Sequence, residues 1–466
     1  MNSVDTLLVG IAAVCLPVMV PVLVFLGRQW VSLFLVPAVG AVLIGLAAVG
    51  TVLLELPLVT TWLGLGIVAN IVTLGWWLRG GRTLGRIPVD GHHLVASVLG
   101  TLVATAWASN RALSWDVHSF WYSRGRWFVE GPQYVVQQLG SPYTSPYPGP
   151  PHATYPPWPS AGAGLMWDLA GEIDYFSAKL LLAGVTASTL VLLAVAVGRW
   201  VEGPRWLAWM AAFLVPSAAL YFATSSSALG HMDLPYAVAG EAALLFGFLL
   251  PRRKPELCLS VVLCLLCGFT KNEGFVVAVL VALLVSLRHA RRDPRRFLVL
   301  AVPWLGLLFS WRLAVYSLGG GASPPTGRTQ ADELAVLRPL PSPDVTTLVK
   351  LEVAHLWWLA VPLIVGLVMF FVLTRKDLPG GRALLGQPVY RTALSHAVVA
   401  VPLFGATGVA LMDGPGLPWA ELLLRTQRYF TFGRLAITVC LLVLAASALK
   451  AAQRPVDDAS RVSGPG

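Results

Sequence analysis

The chain has 466 residues, of which 56% are apolar and only 12% charged. Soluble domains carry about a quarter charged residues, whereas the mean hydropathy here is +0.71. Composition therefore excludes a soluble globular enzyme, a disordered chain and a disulfide scaffold, and leaves a polytopic membrane protein. A bilayer accepts only helices or closed barrels, and long uninterrupted apolar runs select helices. The 33 basic against 23 acidic residues give +10. In a membrane protein that excess reads as the positive-inside rule, and no nucleic-acid partner is expected. The five cysteines all fall in apolar runs. Cys264 and Cys267 form a C-x-x-C, but no second pair or nearby histidine supports redox or metal chemistry, so they read as small apolar residues on one helix face.

In chain order the sequence predicts about thirteen membrane helices. The first four run Leu7–Leu26, Val31–Leu54, Leu58–Leu78 and Leu94–Asn110. Six more run Ser177–Val197, Leu207–Ala223, Leu234–Leu250, Pro255–Thr270, Gly274–Leu287 and Phe297–Leu318. The last three run His355–Leu373, Ala393–Leu411 and Tyr429–Leu449. Three units are expected: residues 1–92 with three helices and a basic loop, a membrane core at 93–318, and a C-terminal unit at 319–466. Only two connections are long, Arg111–Phe176 and Gly319–Ala354. The stretch Pro251–Arg291 is read as two short helices joined at Lys271–Glu273. A single helix would place those charges at mid-membrane, at about 2.5–3.5 kcal/mol each.

Alternate connections then collect Arg28, Arg79, Arg82, Arg86, Arg199, Arg205, the Arg252–Lys254 and Arg288–Arg296 clusters, Arg375, Lys376, Arg382, Arg391 and the basic tail. These make up 21 of the 33 basic residues. The expected orientation is N-terminus outside and C-terminus cytoplasmic. Met1–Asp5 has no basic segment, so no cleaved signal peptide is expected.

The polar residues that remain gather on the outer side. They are Ser114-Trp115-Asp116-Val117-His118, a loop with eight prolines between Pro142 and Pro159, Gly230–Pro235, Thr270–Gly274, and Trp419 with Arg425 and Arg428. Trp115–Glu130, with Trp115, Phe120, Trp121, Trp127 and Phe128 around Arg124 and Arg126, predicts an amphipathic helix in the membrane interface. Inside the apolar runs, Glu241 and Arg312 are the notable charges. Arg312 lies near enough to the outer end to snorkel; Glu241 has no evident partner.

Trp115-Asp116 with Phe120-Trp121 and Arg124-Gly125-Arg126, then His152-Ala153-Thr154-Tyr155-Pro156-Pro157, then Gly230–Pro235 and Thr270–Gly274, resemble in kind, order and spacing the outer loops of the GT-C superfamily. These are integral-membrane glycosyltransferases that use polyprenyl-phosphate sugars. The likeness is to the bacterial branch that is similar to protein O-mannosyltransferases and to lipid A aminoarabinose transferases. It covers about Leu94–Leu287 and reaches the Arg425/Arg428 segment more faintly. It implies an all-α GT-C-like core in the bacterial cytoplasmic membrane, with interfacial helices in the first long outer loop. Its partners would be the lipid bilayer, a polyprenyl-phosphate-linked sugar donor and a hydroxyl acceptor. Two departures stand out: Thr154 replaces a carboxylate in the proline loop, and Val117 follows Asp116 where eukaryotic relatives have a second acid.

Such transfer needs a base for the acceptor hydroxyl and cations for the leaving phosphate. The resemblance places Asp116 as the base. It places Arg124, Arg126, His152, Tyr155, His231, Asp233, Lys271, Asn272, Glu273, Arg425 and Arg428 around the substrates. Each has a plainer role beside this one. Asp116 and Asp233 suit helix caps, Glu273 a helix N-terminus, and Arg425 and Arg428 interface anchors. His118, His152 and His231 lie on the same side as the two aspartates, an arrangement open to a divalent metal, but their spacing is no zinc signature. No metal or other cofactor is firmly expected. A transporter or flippase of lipid-linked sugars is the alternative. It would call for broken helices and mid-membrane polar groups, often with repeats, and no convincing repeat is present.

Overall fold

The computed structural model describes residues 3–27, 29–87, 89–109, 121–140, 155–201, 205–224, 232–250, 253–290, 293–318, 389–399 and 431–452, with isolated helical residues between 350 and 368. Every regular element among them is helical. In order they are α1 (Ser3–Leu26), α2 (Trp30–Leu54), α3 (Leu58–Leu78), α4 (Gly91–Ser109), α5 (Ser123–Glu130), α6 (Pro132–Gly140), α7 (Trp158–Ala170) and α8 (Tyr175–Trp200). There follow α9 (Arg205–Thr224), α10 (Asp233–Leu244) with a π-helical turn at Leu245–Leu249, α11 (Lys254–Gly268), α12 (Asn272–Ala290) and α13 (Pro294–Ser317). A helix at 389–399, here α14, and α15 (Thr431–Ala452) complete the set.

Seven of these, α1, α2, α3, α8, α12, α13 and α15, are long and apolar enough to cross a membrane. The chain is thus an all-helical membrane protein. Helix α3 shows why water is the wrong solvent: Leu63, Ile67, Val68 and Ile71 lie 48–63% exposed on one outward stripe, which only lipid would cover without penalty. The segments Gly91–Val103 of α4 and Leu234–Leu249 of α10 with its π-helical turn are shorter apolar helices.

The bundle is built around α10, whose residues Tyr236–Ala239 and Glu241–Leu245 are fully buried. It packs against α8, α9, α11, α12 and α15. On the other side α2 meets α1 through small residues. A Cβ at Gly40 would fall 1.8 Å from the Val14 carbonyl oxygen, so the two backbones touch there. Helix α1 contains Pro17 and Pro21. Pro21 has no N–H, which leaves the Pro17 carbonyl without its helical partner. Asn70 of α3 donates to that oxygen at 2.8 Å, and to its own Gly66 carbonyl at 2.8 Å. Asn70→Leu is expected to destabilise the α1–α3 pair by about 1 kcal/mol, the low end of the cost of an orphaned acceptor, because the Pro17 carbonyl is only partly buried. Thermal unfolding in detergent would show it; an unchanged midpoint would mean another group satisfies Pro17.

The π-helical turn frees carbonyls at the end of α10. Arg288 Nη1 donates to Gly247 O at 3.3 Å and Arg391 Nη2 to Leu249 O at 2.8 Å. Both cations sit at the negative end of the helix dipole. Close by, Arg199 pairs with Glu256 at 2.8 Å. At this same end Gln29 ties the α1–α2 turn to the backbone of Gly85 and Ile87. The described residues flanking the loops expected to be cytoplasmic thus meet at one end of the bundle. At the other, Ser177 Oγ lies 2.7 Å from Ser3 O, and α11 breaks before α12 at residues 269–271, as the two-helix reading of Pro251–Arg291 requires.

Two features differ from expectation. The described part of the Trp115–Glu130 segment is helical, but its aromatic side chains face protein. Trp121, Tyr122, Trp127 and Phe128 are all buried, and so is Arg124. The cover is α7, a helix that begins at the end of the proline-rich loop, whose prolines by themselves favour stiff, extended chain. Its start is legible afterwards: Pro159 occupies the first turn, where a missing N–H costs nothing, and Ala161–Gly164 are small. Helices α5 and α7 cross at contact distance, since a Cβ on Gly164 would lie 2.6 Å from Gly125 O.

Candidate functional site

The carbonyl oxygen of Tyr155 is the centre of the outer end. Arg124 donates to it from both Nη1 and Nη2, each at 3.2 Å. Trp311 Nε1 of α13 donates to it at 2.8 Å. Residue Tyr155 precedes Pro156, which biases its backbone towards an extended form and turns its carbonyl away from helical partners. Three donors from two helices use that carbonyl to clamp the end of the proline loop. The Tyr155 ring meets Trp121 edge-on at 5.5 Å. One step on, Trp158 N donates to Phe269 O at 3.2 Å, which joins the loop to the α11–α12 turn.

Arg124 lies in this frame almost without exposure. Burial lowers its pKa to about 10, with the nearby Tyr155 acting against that shift, so it stays a cation at neutral pH. Its guanidinium sits 5.7 Å from the Trp127 ring. Arg126 points to the other side, 5.5 Å from the Tyr175 ring. That ring stacks on Tyr122 at 5.5 Å and meets Trp167 at 5.3 Å. Burial raises the Tyr122 phenol well above its ordinary range, so it remains a neutral hydroxyl.

The α11–α12 turn supplies the second half. Lys271 Nζ and Glu273 Oε1 are 3.3 Å apart, and both side chains are buried. Asn272, the first residue of α12, accepts from Arg312 Nη2 at 2.8 Å. Arg312 also lies 4.2 Å from the Phe275 ring, which meets Phe309 edge-on. Arg312 and its neighbour Trp311 therefore link α13 to both the turn and the proline loop. The turn is tight because Gly274 has no side chain: a Cβ there would lie 2.3 Å from Cys267 O and 2.8 Å from Tyr236 Cβ.

Of the residues singled out from sequence, Arg124, Tyr155, Lys271, Asn272 and Glu273 are brought into this one layer, and Arg126 flanks it. Asp116, His118, His152, His231, Arg425 and Arg428 lie outside the described residues. Asp233 opens α10 with Met232 at the cap position, so it stands in the first turn and not at the cap. Sequence reading missed Trp311, whose signal was an indole next to a membrane-edge arginine. It also missed the aromatic trio under Arg126. Cys264 and Cys267 donate to Ala278 O and Gly274 O, at 3.0 and 3.2 Å, a packing role. Among the described residues no group of three His, Cys, Asp or Glu is placed to hold a metal.

Asp174 caps α8 next to this layer. It accepts from Phe176 N at 2.9 Å, from Ser177 N at 3.3 Å and from the Ser177 hydroxyl. Burial pushes its carboxyl up, but the donors from Ser177, Ser3 and the two backbone amides outweigh that and hold it below the ordinary value. A depressed folded-state pKa gives stability that is present above the unfolded value, about 3.9, and lost as pH falls through the folded value. Asp174→Ala is expected to cost about 1 kcal/mol at neutral pH, and this difference from wild type should shrink below about pH 4. Unfolding midpoints at several pH values would test it; a gap that widens in acid would contradict it.

Compared with family models, curated proteins and solved structures, the chain matches none of them.

Proposed function

We propose that this protein is an integral-membrane glycosyltransferase that moves a sugar from a polyprenyl-phosphate donor to an acceptor hydroxyl on the outer face of the cytoplasmic membrane. The observation that carries the reading is a convergence. Arg124 and Tyr155, 31 residues apart, and the Lys271–Glu273 turn, more than a hundred residues further on, meet in one layer at the end of the bundle opposite the basic loops. The stretches that hold them are the ones that resemble GT-C outer loops. The full proposal has about thirteen spans, with the N-terminus outside and the C-terminus cytoplasmic.

In the proposed reaction the Asp116 carboxylate takes the proton of the acceptor hydroxyl. The freed oxygen attacks the anomeric carbon, the bond from that carbon to the phosphate oxygen breaks, and polyprenyl phosphate leaves with the electron pair. A single displacement inverts the anomeric configuration. Arg425 and Arg428 are assigned to the phosphate as bidentate partners. Lys271 contributes less than its charge suggests, because Glu273 offsets it at 3.3 Å. The Tyr155 clamp fixes the described end of the proline loop, Tyr155–Trp158, to the bundle, so ordering entropy is not spent there at each turnover. No cofactor is assigned.

The test is a donor panel. Purified protein in lipid is incubated with defined polyprenyl-phosphate sugars, and each is scored for loss of its sugar. One donor class should be consumed; a panel left intact with every offered acceptor would reject the transferase reading. The carrier reading has one observation in its favour, a buried Glu241–His396 pair in the middle of the bundle, since intramembrane carboxylate–histidine pairs serve proton relays in pumps.

A further inference from the structure

We infer that Glu241 and His396 share one proton and act as a net-neutral rung that fixes the register of α14 against α10. The His396 Nδ1 lies 2.6 Å from the carbonyl oxygen of Thr392. A carbonyl can only accept, so Nδ1 carries a hydrogen. The other ring nitrogen, Nε2, faces Glu241 Oε1 at 2.5 Å. One further proton serves this contact, whether it resides on nitrogen as imidazolium against carboxylate or on oxygen as carboxylic acid against imidazole. Both arrangements have zero net charge.

The surroundings enforce that count. Glu241 is 0% and His396 4% exposed, and the neighbours of Glu241 along α10, such as Val238, Ala242 and Leu245, are fully buried apolar residues. Glu241 Oε2 has no hydrogen-bond partner among the described residues. A second proton, or the loss of the first, would leave a bare charge in this interior, where burial without compensation is prohibitive. The polar groups around the pair come from three elements. Cys440 of α15 adjoins the imidazole. Thr392, on α14 itself, accepts from Trp200 Nε1 of α8 at 2.9 Å, and its carbonyl also takes the Ser395 hydroxyl at 3.0 Å.

Register follows from a second rung. Arg391, more than a turn before His396 on α14, donates to Leu249 O at the far end of the α10 segment. The two helices therefore run antiparallel. A slip of one turn would unpair both contacts, leaving a buried carboxylate and a guanidinium without their partners. Apolar packing alone does not distinguish such slips, and one polar pair in an apolar seam does.

The test uses the full chain in detergent, with thermal unfolding of Glu241→Gln, His396→Phe and the double variant Glu241→Leu/His396→Phe, and with nitrogen NMR of the histidine ring in wild type. Glu241→Gln should unfold close to wild type, because its amide N–H donates to Nε2 of the Nδ1–H tautomer and the site stays neutral. His396→Phe should lose the most, since it strands the carboxylate, and the double variant should recover much of that loss. The ring should keep its Nδ1 proton and show no titration as bulk pH moves between about 5 and 8, where an ordinary histidine changes charge. Glu241→Gln as damaging as His396→Phe, a double variant no better than the single, or a ring that follows bulk pH as a relay would, each overturns the inference.

Discussion

Asp116→Asn is expected to lower sugar transfer by about 10²–10⁴-fold, the contribution of a positioned general base, while folding and donor binding persist. Asparagine keeps the size of the side chain and can still accept a hydrogen bond from the hydroxyl, but it cannot remove the proton. It also serves as well as aspartate at a helix cap. The substitution therefore separates the two roles the sequence leaves open for this residue. A capping role alone predicts near-normal turnover, and so does a base elsewhere in the outer loops. Donor retention should be measured in the same preparation, since loss of both binding and turnover would point to local unfolding. Full turnover by the variant would remove Asp116 from the mechanism.

Gly274→Ala is expected to be the most damaging small substitution in the described part of the site. Its Cβ would need to share space with Cys267 O at 2.3 Å and Tyr236 Cβ at 2.8 Å. The nearer obstacle is backbone, and the farther is the root of a buried tyrosine on the central helix, so neither yields as a flexible side chain would. Overpacking of this kind costs about 1–3 kcal/mol. Here it also displaces the turn that carries Lys271, Asn272 and Glu273, so turnover should fall with stability. The Arg312 contact to Asn272, 2.8 Å in the native turn, should loosen as well. Gly306→Ala in α13 is the control, because nothing lies within 4 Å of its added Cβ. That variant should be neutral or stabilised by about 0.5–1 kcal/mol, the usual helical preference for alanine. Equal losses in the two variants would show that the close approach at Gly274 is not what limits the turn.

Much of the fold was legible because the bilayer simplifies the code. Helices α1, α2, α3 and α8 end within a few residues of the runs that predict them. The break at residues 269–271 was readable from one energetic argument, the cost of holding Lys271, Asn272 and Glu273 at mid-membrane. Helix α7 was not legible in advance. Its prolines are as compatible with extended chain as with a helix start, and only the packing of Gly164 on Gly125 decides between them. The lining of α5 was misread for a related reason: an amphipathic pattern states that one face is apolar, not whether lipid or protein covers it. In the site, residue type indicated Arg124, Lys271 and Asn272, but not that Tyr155 acts through its backbone. A carbonyl leaves no mark in a sequence. Glu241 looked unexplained because its partner His396 lies 155 residues away, a separation over which no spacing rule operates.

The central claim is transfer chemistry at the outer membrane face, and the most direct measurement follows the fate of the donor in sealed proteoliposomes. A polyprenyl-phosphate sugar labelled in both the lipid and the sugar is placed in the leaflet on the Asp116 side, with a panel of hydroxyl acceptors. The account predicts that the labels separate: sugar-free polyprenyl phosphate accumulates, an equal amount of sugar appears on an acceptor with inverted anomeric configuration, and Asp116→Asn stops both. Intact donor appearing in the opposite leaflet, with the labels still joined and no acceptor modified, would contradict it.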